Sequence, residues 1–139
     1  MPFVRITVFG PGLTPEQSQR LQSGTTDLMV SVMRKPIEGV ATLVEAVGEG
    51  AWSIAGRPVG VAAHVEATVA EHANTSAEKA RFVAEMWALL RSTLGPDLSE
   101  ETYIAVRDTN SYGRGGFTRA ERDRRAGGRS DVRHADRRM

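Results

Sequence analysis

The chain has 139 residues, of which 40% are hydrophobic and 25% are charged, as in an average soluble globular domain. It contains no cysteine, which excludes disulfide bonds, thiolate metal sites and cysteine nucleophiles, and which fits a reducing compartment. The first residues do not form a secretory signal, and no apolar run approaches the length of a membrane span. We therefore expect a cytoplasmic protein with no membrane partner.

The net charge of +1 is distributed unevenly along the chain. Residues 1–117 contain ten Lys or Arg and thirteen Asp or Glu, whereas residues 118–139 contain eight arginines and four acids. Apolar residues almost vanish from residue 118 onward, so we interpret 118–139 as an Arg-rich, mostly disordered tail. Such a tail could attract nucleic acid through phosphate contacts, but acids interrupt its charge and no aromatic side chain is interleaved for base stacking. A solvated tail is the favoured interpretation, and nucleic acid is not an expected partner.

Residues 2–60 predict a first β-α-β unit. Apolar and polar side chains alternate over Phe3–Phe9, which is the period of a strand. The segment Thr14–Gln17 combines an N-cap threonine, a proline at the first helical position and a capping-box glutamine, so a helix begins there. Its apolar stripe continues towards Lys35, where the following proline stops the helix. Val40–Val47 then predicts a second, largely buried strand.

Residues 61–117 repeat this plan. Val61–Val69 predicts the third strand, Ser76–Lys79 opens a second helix, Gly95-Pro96 closes it, and Thr102–Val106 predicts the last strand. Each helix is long enough to cross between parallel strands, but one unit alone would bury too thin a core. We therefore predict an α/β (α+β) sandwich, in which two tandem β-α-β units form one four-stranded mixed sheet with two helices on one face.

Pro2 is the leading candidate for chemistry. Methionine before a small residue is normally removed, which would leave the secondary amine of Pro2 as the N-terminus. An ordinary α-amino group titrates at about 7.7–8.0, and apolar neighbours such as Phe3 and Val4 would lower the pKa of this amine. A neutral amine can move protons between carbon and oxygen of an enolisable substrate, or attack a carbonyl carbon. Because Met-Pro begins many unrelated proteins, the dipeptide alone does not decide the function.

The context of Pro2 resembles the tautomerase superfamily. A strand beginning at Pro2, a glycine turn, a capped helix, a proline, a second strand and the Gly-rich segment 48–58 are similar to 4-oxalocrotonate tautomerase. This resemblance implies that Trp52 lies near the position of the active-site phenylalanine of that family. The doubled chain, which ends its second unit with the segment 107–117, resembles longer members such as malonate semialdehyde decarboxylase and cis-3-chloroacrylic acid dehalogenase. The resemblance covers residues 2–117.

The resemblance implies a cofactor-independent isomerase, a keto–enol tautomerase that assembles as a homotrimer. Pro2 would act as general base and acid on a small carboxylate or keto acid. Two alternatives stay open: a promiscuous hydratase, dehalogenase or decarboxylase that uses the same proline, and a non-catalytic trimeric binding protein. The three histidines are widely spaced and the carboxylates are not clustered, so the sequence gives no support to a metal site.

The chain departs from its relatives in the arginines that hold anionic substrates. Where 4-oxalocrotonate tautomerase has these arginines, the chain has Gly10–Leu13 and Val40. Arg107 and Arg114 flank the second Gly-rich segment, where glycines let the backbone approach a ligand and a guanidinium suits a carboxylate. These two arginines are our candidate replacements, although surface arginines are common.

Further candidates could complete the pocket. His72 and Asn74 lie in the loop after the third strand and could donate hydrogen bonds to a substrate carbonyl, the alternative being a solvated loop. Trp52, Tyr103 and Tyr112 could form pocket walls, the alternative being packing in the core or between subunits. The predicted substrate-binding set is therefore Arg114, Arg107, Trp52, Tyr112, His72, Asn74 and Tyr103.

Overall fold

The strand β1 (Phe3–Phe9) lies inside a four-stranded sheet, between β2 (Ala41–Ala46) and β5 (Ala62–Ala70), and β6 (Tyr103–Thr109) lies beyond β5. In the computed structural model, which describes residues 1–127, this part of the chain contains the helices α1 and α2, a short 3-10 helix, eight strands and a helical segment at residues 119–127. In chain order the elements up to residue 109 are β1, α1 (Pro15–Ser31), the 3-10 helix (Ile37–Gly39), β2 (Ala41–Ala46), β3 (Ser53–Ile54), β4 (Arg57–Pro58), β5 (Ala62–Ala70), α2 (Ser76–Leu94) and β6 (Tyr103–Thr109).

The sheet is mixed, as the sequence predicted. β1 pairs in parallel with β2, so that Phe3 lies opposite Ala41, and antiparallel with β5, so that Phe3 also lies opposite Thr68. The segments that lead into β5 and β6 meet in a parallel bridge between Val61 and Leu98. The α+β fold class is therefore confirmed, because both β-α-β repeats contribute their strands to one sheet.

Both helices begin with a capping box. At α1 the Thr14 hydroxyl accepts a hydrogen bond from the Gln17 N–H (3.1 Å), and the Gln17 side chain accepts one from the Thr14 N–H (2.9 Å). At α2 the same pair of bonds joins Thr75 and Glu78 (3.1 and 2.8 Å). Ser76, which the sequence indicated as the opening of α2, is its first helical residue, and the cap is Thr75.

One core joins the two repeats. The side chains of β1 and β5 that face the helices are small or branched apolar residues, and they share one cluster with the buried stripes of both helices. That cluster includes Val4, Ile6, Val8, Val65 and Val69 from the strands and Leu21, Met29, Phe82, Met86 and Leu90 from the helices. Because the helices pack against the same strand residues, both cover one face of the sheet.

The opposite face of the sheet carries charged pairs. The Arg5 Nε atom lies 2.7 Å from the Glu45 carboxylate, and the Arg107 guanidinium donates to Glu66 at 3.0 Å. Arg5 thus alternates away from Val4 and its helix-facing neighbours, as the strand period predicted.

The described residues divide into two compact units, the first formed by residues 1–108 and the second beginning at residue 109. In the second unit, β7 (Gly113–Arg114) and β8 (Phe117–Thr118) form a hairpin, and residues 119–127 are helical. The disordered tail predicted from residue 118 therefore differs from the structure at 119–127, while 128–139 lie outside the described residues. The helix is supported by local contacts: the Thr118 hydroxyl accepts from the Glu121 N–H (3.2 Å), and the Arg125 guanidinium lies 4.3 Å from the Phe117 ring centre.

Replacement of Phe82 tests the shared core. Phe82 is fully buried between the helices and the sheet, whereas its neighbour Val83 is 37% exposed. We expect Phe82→Ala to lower the free energy of unfolding by about 3–5 kcal/mol, because it removes a large side chain and leaves a cavity. Val83→Ala, the matched control, should cost less than about 1 kcal/mol. Urea unfolding at one fixed protein concentration measures both, and similar losses in the two variants would contradict this core.

Candidate active site

Pro2 lies at the start of β1 and is buried. Its carbonyl accepts a hydrogen bond from the Ala41 N–H at 3.2 Å, which ties the residue before β1 to the beginning of β2. The alternation of β1 continues through this position, so Pro2 shares the helix-facing side of the sheet with Val4. The structure therefore places Pro2 at the edge of the core, on the side of the sheet that the helices cover.

Two further segments reach the same end of the sheet. β5 runs antiparallel to β1 and ends near its start, so the loop 71–75 that leads to α2 lies there. β2 runs parallel to β1, so the connection 33–41, which leads from α1 into the first residue of β2, lies there too. We call this region, formed by Pro2, residues 33–41 and residues 71–75, the proline end.

Lys35 is the one charged residue that is buried among residues 1–127, with 9% of its surface exposed. It follows the last turn of α1, where its backbone N–H donates to the Met29 carbonyl at 2.9 Å. In the sequence, Lys35 is assigned only to the end of the first predicted helix. The available signal was its position in the short connection that returns the chain to the strand beside Pro2.

A network of hydrogen bonds joins the two segments of the proline end. The Arg34 guanidinium binds Glu78 through two nitrogens, its Nε and its Nη2, the latter at 3.2 Å, and also donates to the Ala73 carbonyl at 3.3 Å. The Asn74 side-chain amide donates to the Met33 carbonyl at 2.9 Å and to Glu78 at 3.4 Å. We call these residues, with Thr75, the Glu78 network, because the carboxylate of Glu78 is its common acceptor.

The Glu78 network strongly favours the charged form of the carboxyl group. The hydrogen bond from Arg34, followed by those from the Thr75 backbone and the Asn74 side chain, lowers the pKa of Glu78 from 4.5 to about 2. The carboxylate therefore stays ionised throughout the neutral and mildly acidic range.

Of the predicted residues, His72 and Asn74 lie at the proline end. The His72 side chain is 86% exposed and 3.3 Å from the Glu71 carboxylate, and its backbone has a positive φ of 64°. Asn74 is half-buried and donates its amide N–H groups within the Glu78 network, whereas its Oδ1 atom is buried and makes no hydrogen bond. The structure thus gives Asn74 a role in joining segments that the sequence did not predict.

Two other predicted residues, Arg107 and Tyr103, belong to β6 and lie away from Pro2 within one chain. Arg107 projects from the helix-free face, where it pairs with Glu66. Tyr103 begins β6 at the far end of the sheet, because the preceding Thr102 accepts a hydrogen bond from the Ala63 N–H (3.2 Å), and Ala63 lies opposite Val8. The Tyr103 hydroxyl donates to Glu101 at 2.9 Å, and its hydrogen bond to that carboxylate raises its pKa.

Three predicted residues belong to the hairpins. Trp52 is half-buried and precedes the hairpin β3–β4, which follows β2 and so begins at the end of the sheet opposite Pro2. In the second unit, Tyr112 is half-buried beside the hairpin β7–β8, and Arg114 is exposed in β7. The Arg122 side chain donates a hydrogen bond to the Arg114 carbonyl at 3.0 Å. This contact uses the backbone of Arg114 and not its guanidinium.

A cavity of about 230 Å³ lies at the far end of the sheet, between the turn Gly10–Leu13 and the turn Gly95–Asp97. Its lining contains no cationic side chain, so it does not suit a carboxylate. Among residues 1–127, no three His, Asp or Glu side chains are grouped as metal ligands. In the same part of the chain, no helix has the length and apolar character needed to cross a membrane.

Titration of Glu78 tests the network. Because the pKa is lower in the folded state, the carboxylate stabilises the fold fully above the unfolded value of 4.5, and this contribution is lost as pH falls towards 2. We expect Glu78→Gln to lower the melting temperature by a constant amount above about pH 5, and by a shrinking amount below it. Calorimetry from pH 7 to pH 2 measures the difference, and a difference that stays constant down to pH 2 would contradict the network.

The first β-α-β unit matches known sequences. A profile of the family described as Tautomerase enzyme matches residues 2–62. Over 59 residues the chain is 34% identical to a probable tautomerase, K2, of Dickeya dadantii (strain 3937), and this stretch covers 42% of this chain and 88% of that protein.

The fold of residues well beyond this first unit is also similar to solved structures. Pt0534 inactivated by 2-oxo-3-pentynoate has a TM-score of 0.74 at 18% identity, over 84% of this chain and 94% of that chain. A fused 4-OT symmetric trimer, Q0, has a TM-score of 0.71 at 18% identity, over 83% of this chain and 93% of that chain. Because K2 is 34% identical and is covered over 88% of its length, the chain belongs to the tautomerase family.

Proposed function

We propose that the protein is a cofactor-independent keto–enol tautomerase that acts through the amine of Pro2 after removal of Met1. The observation that carries this proposal is the burial of Pro2 at the start of β1, in a chain of the tautomerase family. A buried amine loses part of the hydration that stabilises its ammonium form, so its pKa falls towards neutrality. Such an amine is a base at the pH of the cell.

The proposed reaction moves one proton through the Pro2 nitrogen. The neutral amine accepts the hydroxyl proton of an enol, and the electron pair of that O–H bond stays on oxygen, which gives an enolate and a prolinium. An oxygen electron pair then forms the carbonyl while the electrons of the carbon–carbon double bond take the proton from the prolinium at carbon, which returns the amine to its neutral form. No cofactor is needed, because the amine supplies both the base and the acid.

We propose that Lys35 binds the carboxylate of the substrate, in the role that family arginines hold elsewhere. Its burial at the proline end supports this role, since a cation attracts a carboxylate more strongly in a protein environment than in water. Its positive charge would also disfavour protonation of a nearby amine, in the same direction as burial. The substrate class is therefore a small α-keto acid or its enol.

The predicted contacts of His72, Asn74, Arg107, Arg114, Trp52, Tyr103 and Tyr112 with substrate remain proposals. Tyr103 and Trp52 lie far from Pro2 in one chain, so they would reach a substrate only at the proline end of a neighbouring subunit. We propose a homotrimer on this ground and because fused 4-OT proteins of similar fold are described as trimers. Large apolar residues of the helix-free face support association: Phe3 is 43% exposed and Leu43 is 41% exposed.

Replacement of Pro2 tests the mechanism. We expect Pro2→Ala to slow the ketonisation of phenylpyruvate enol or of 2-hydroxymuconate by at least about 100-fold, because the rigid secondary amine that serves as base and acid is replaced by a primary amine that rotates freely. Pro11→Ala, in an exposed turn, is the matched control and should retain the natural rate. Mass analysis of the N-terminus must show that Met1 is absent from each preparation. Equal rates for the natural protein and Pro2→Ala would remove Pro2 from the reaction.

Replacement of Lys35 tests the carboxylate site. We expect Lys35→Gln to raise the KM for the anionic substrate by about 10-fold to 100-fold, the worth of one hydrogen bond to a charged group. The KM for a neutral ester of the same substrate should not change. Lys79→Gln is the control, since Lys79 is the other lysine of the chain and pairs with Asp108 at 2.7 Å. An unchanged KM for the acid in Lys35→Gln would exclude this role.

A further inference from the structure

We infer that Glu78 is a positioning residue for the proline end: its carboxylate holds the connection 33–41 against the loop 71–75 and thereby sets the position of Lys35. The inference rests on the function proposed for Lys35, but the contacts of Glu78 stand independently of it. The carboxylate accepts hydrogen bonds from Arg34 on the first segment and from Asn74 and Thr75 on the second.

The two residues that precede Lys35 in the sequence are both held by hydrogen bonds to the second segment or to Glu78. Arg34 precedes Lys35 directly and binds Glu78 through two nitrogens. Its backbone is left-handed, with φ of 58°, a conformation that costs an L-residue about 1 kcal/mol or more and so needs compensating contacts. Met33, one residue earlier, is fully buried, and its carbonyl accepts from the Asn74 amide at 2.9 Å. Rotation of this turn would therefore break several contacts at once.

The two repeats show what the charge of Glu78 adds. In α1 the equivalent position is Gln17, whose neutral amide completes the capping box with Thr14. A glutamine is therefore sufficient to cap a helix in this fold. In α2 the box is completed by Glu78, whose carboxylate in addition binds Arg34 across 44 positions of sequence. The cap needs only an acceptor oxygen, whereas the link to Arg34 uses the charge of the carboxylate.

This comparison supplies the variant that separates the two roles. Glu78→Gln retains an oxygen for the Thr75 N–H and so retains the capping box, but it loses the charge that holds Arg34. Glu85→Gln is the matched control, since Glu85 is on the same helix and its nearby cation is Arg81, one turn away at 3.5 Å. Neither Glu85 nor Arg81 belongs to the proline end.

Chemical labelling of lysine tests the inference without any assay of activity. The chain has two lysines, so acetylation by N-hydroxysuccinimidyl acetate can be compared at Lys35 and Lys79 by peptide mass analysis of the full-length protein. Lys35 is buried, whereas the Lys79 side chain is 29% exposed and serves as the internal standard. We expect Glu78→Gln to raise the labelling rate of Lys35 relative to Lys79 by at least about fivefold, because local opening becomes more frequent. Glu85→Gln should leave the ratio unchanged.

Kinetics then connects the position of Lys35 to substrate. With the acid substrate, Glu78→Gln should raise KM by at least about fivefold at unchanged kcat, and with the neutral ester it should change neither. An unchanged labelling ratio would overturn the inference, as would equal losses on acid and ester, which indicate general destabilisation. Activity that survives Pro2→Ala would refute the proposed function instead, and the labelling ratio would still decide whether Glu78 holds Lys35.

Discussion

The position of the N-terminus depends on the pairing of β1 between β2 and β5. Because β1 has a partner on each side, its first residue cannot move without breaking the sheet, and the Ala41 N–H extends this pairing to the Pro2 carbonyl. A group at the end of a chain is ordinarily mobile, whereas Pro2 is buried and hydrogen-bonded. The sheet therefore fixes Pro2 at the edge of the core, which is the condition that the proposed mechanism sets for its amine.

The two repeats differ at the position that matters for this chemistry. The offset that relates Thr14 to Thr75 takes Pro2 to Ala63, at the far end of the sheet. Ala63 has a peptide N–H, which donates to the Thr102 hydroxyl at 3.2 Å in a buried contact. An amide in this position is not a base, and its proton is already bound. In the proposed mechanism each chain therefore has one catalytic α-amine, although the fold contains two β-α-β units.

Local patterns allowed most of the fold to be predicted, and long-range contacts account for the rest. The strand period of β1 and the Thr14 capping box are encoded within a few residues, so both were found in the sequence. The Glu78 network was not, because Arg34 and Glu78 are 44 positions apart and nothing local indicates that they meet. The burial of Pro2 agrees with its predicted place before a strand, whereas its role in catalysis stays a prediction. The burial of Lys35 is not a local property of the sequence, since it follows from how the connection 33–41 packs against the sheet.

The proposed mechanism requires Pro2 to be a neutral base in the folded protein. A protein labelled with ¹⁵N at proline, with Met1 removed, allows the Pro2 nitrogen to be titrated by NMR alongside a short peptide that begins Pro-Phe-Val. We expect the pKa of Pro2 in the protein to lie at least about one unit below that of the peptide, because burial and the charge of Lys35 disfavour the ammonium form. A pKa equal to or above that of the peptide would contradict the mechanism.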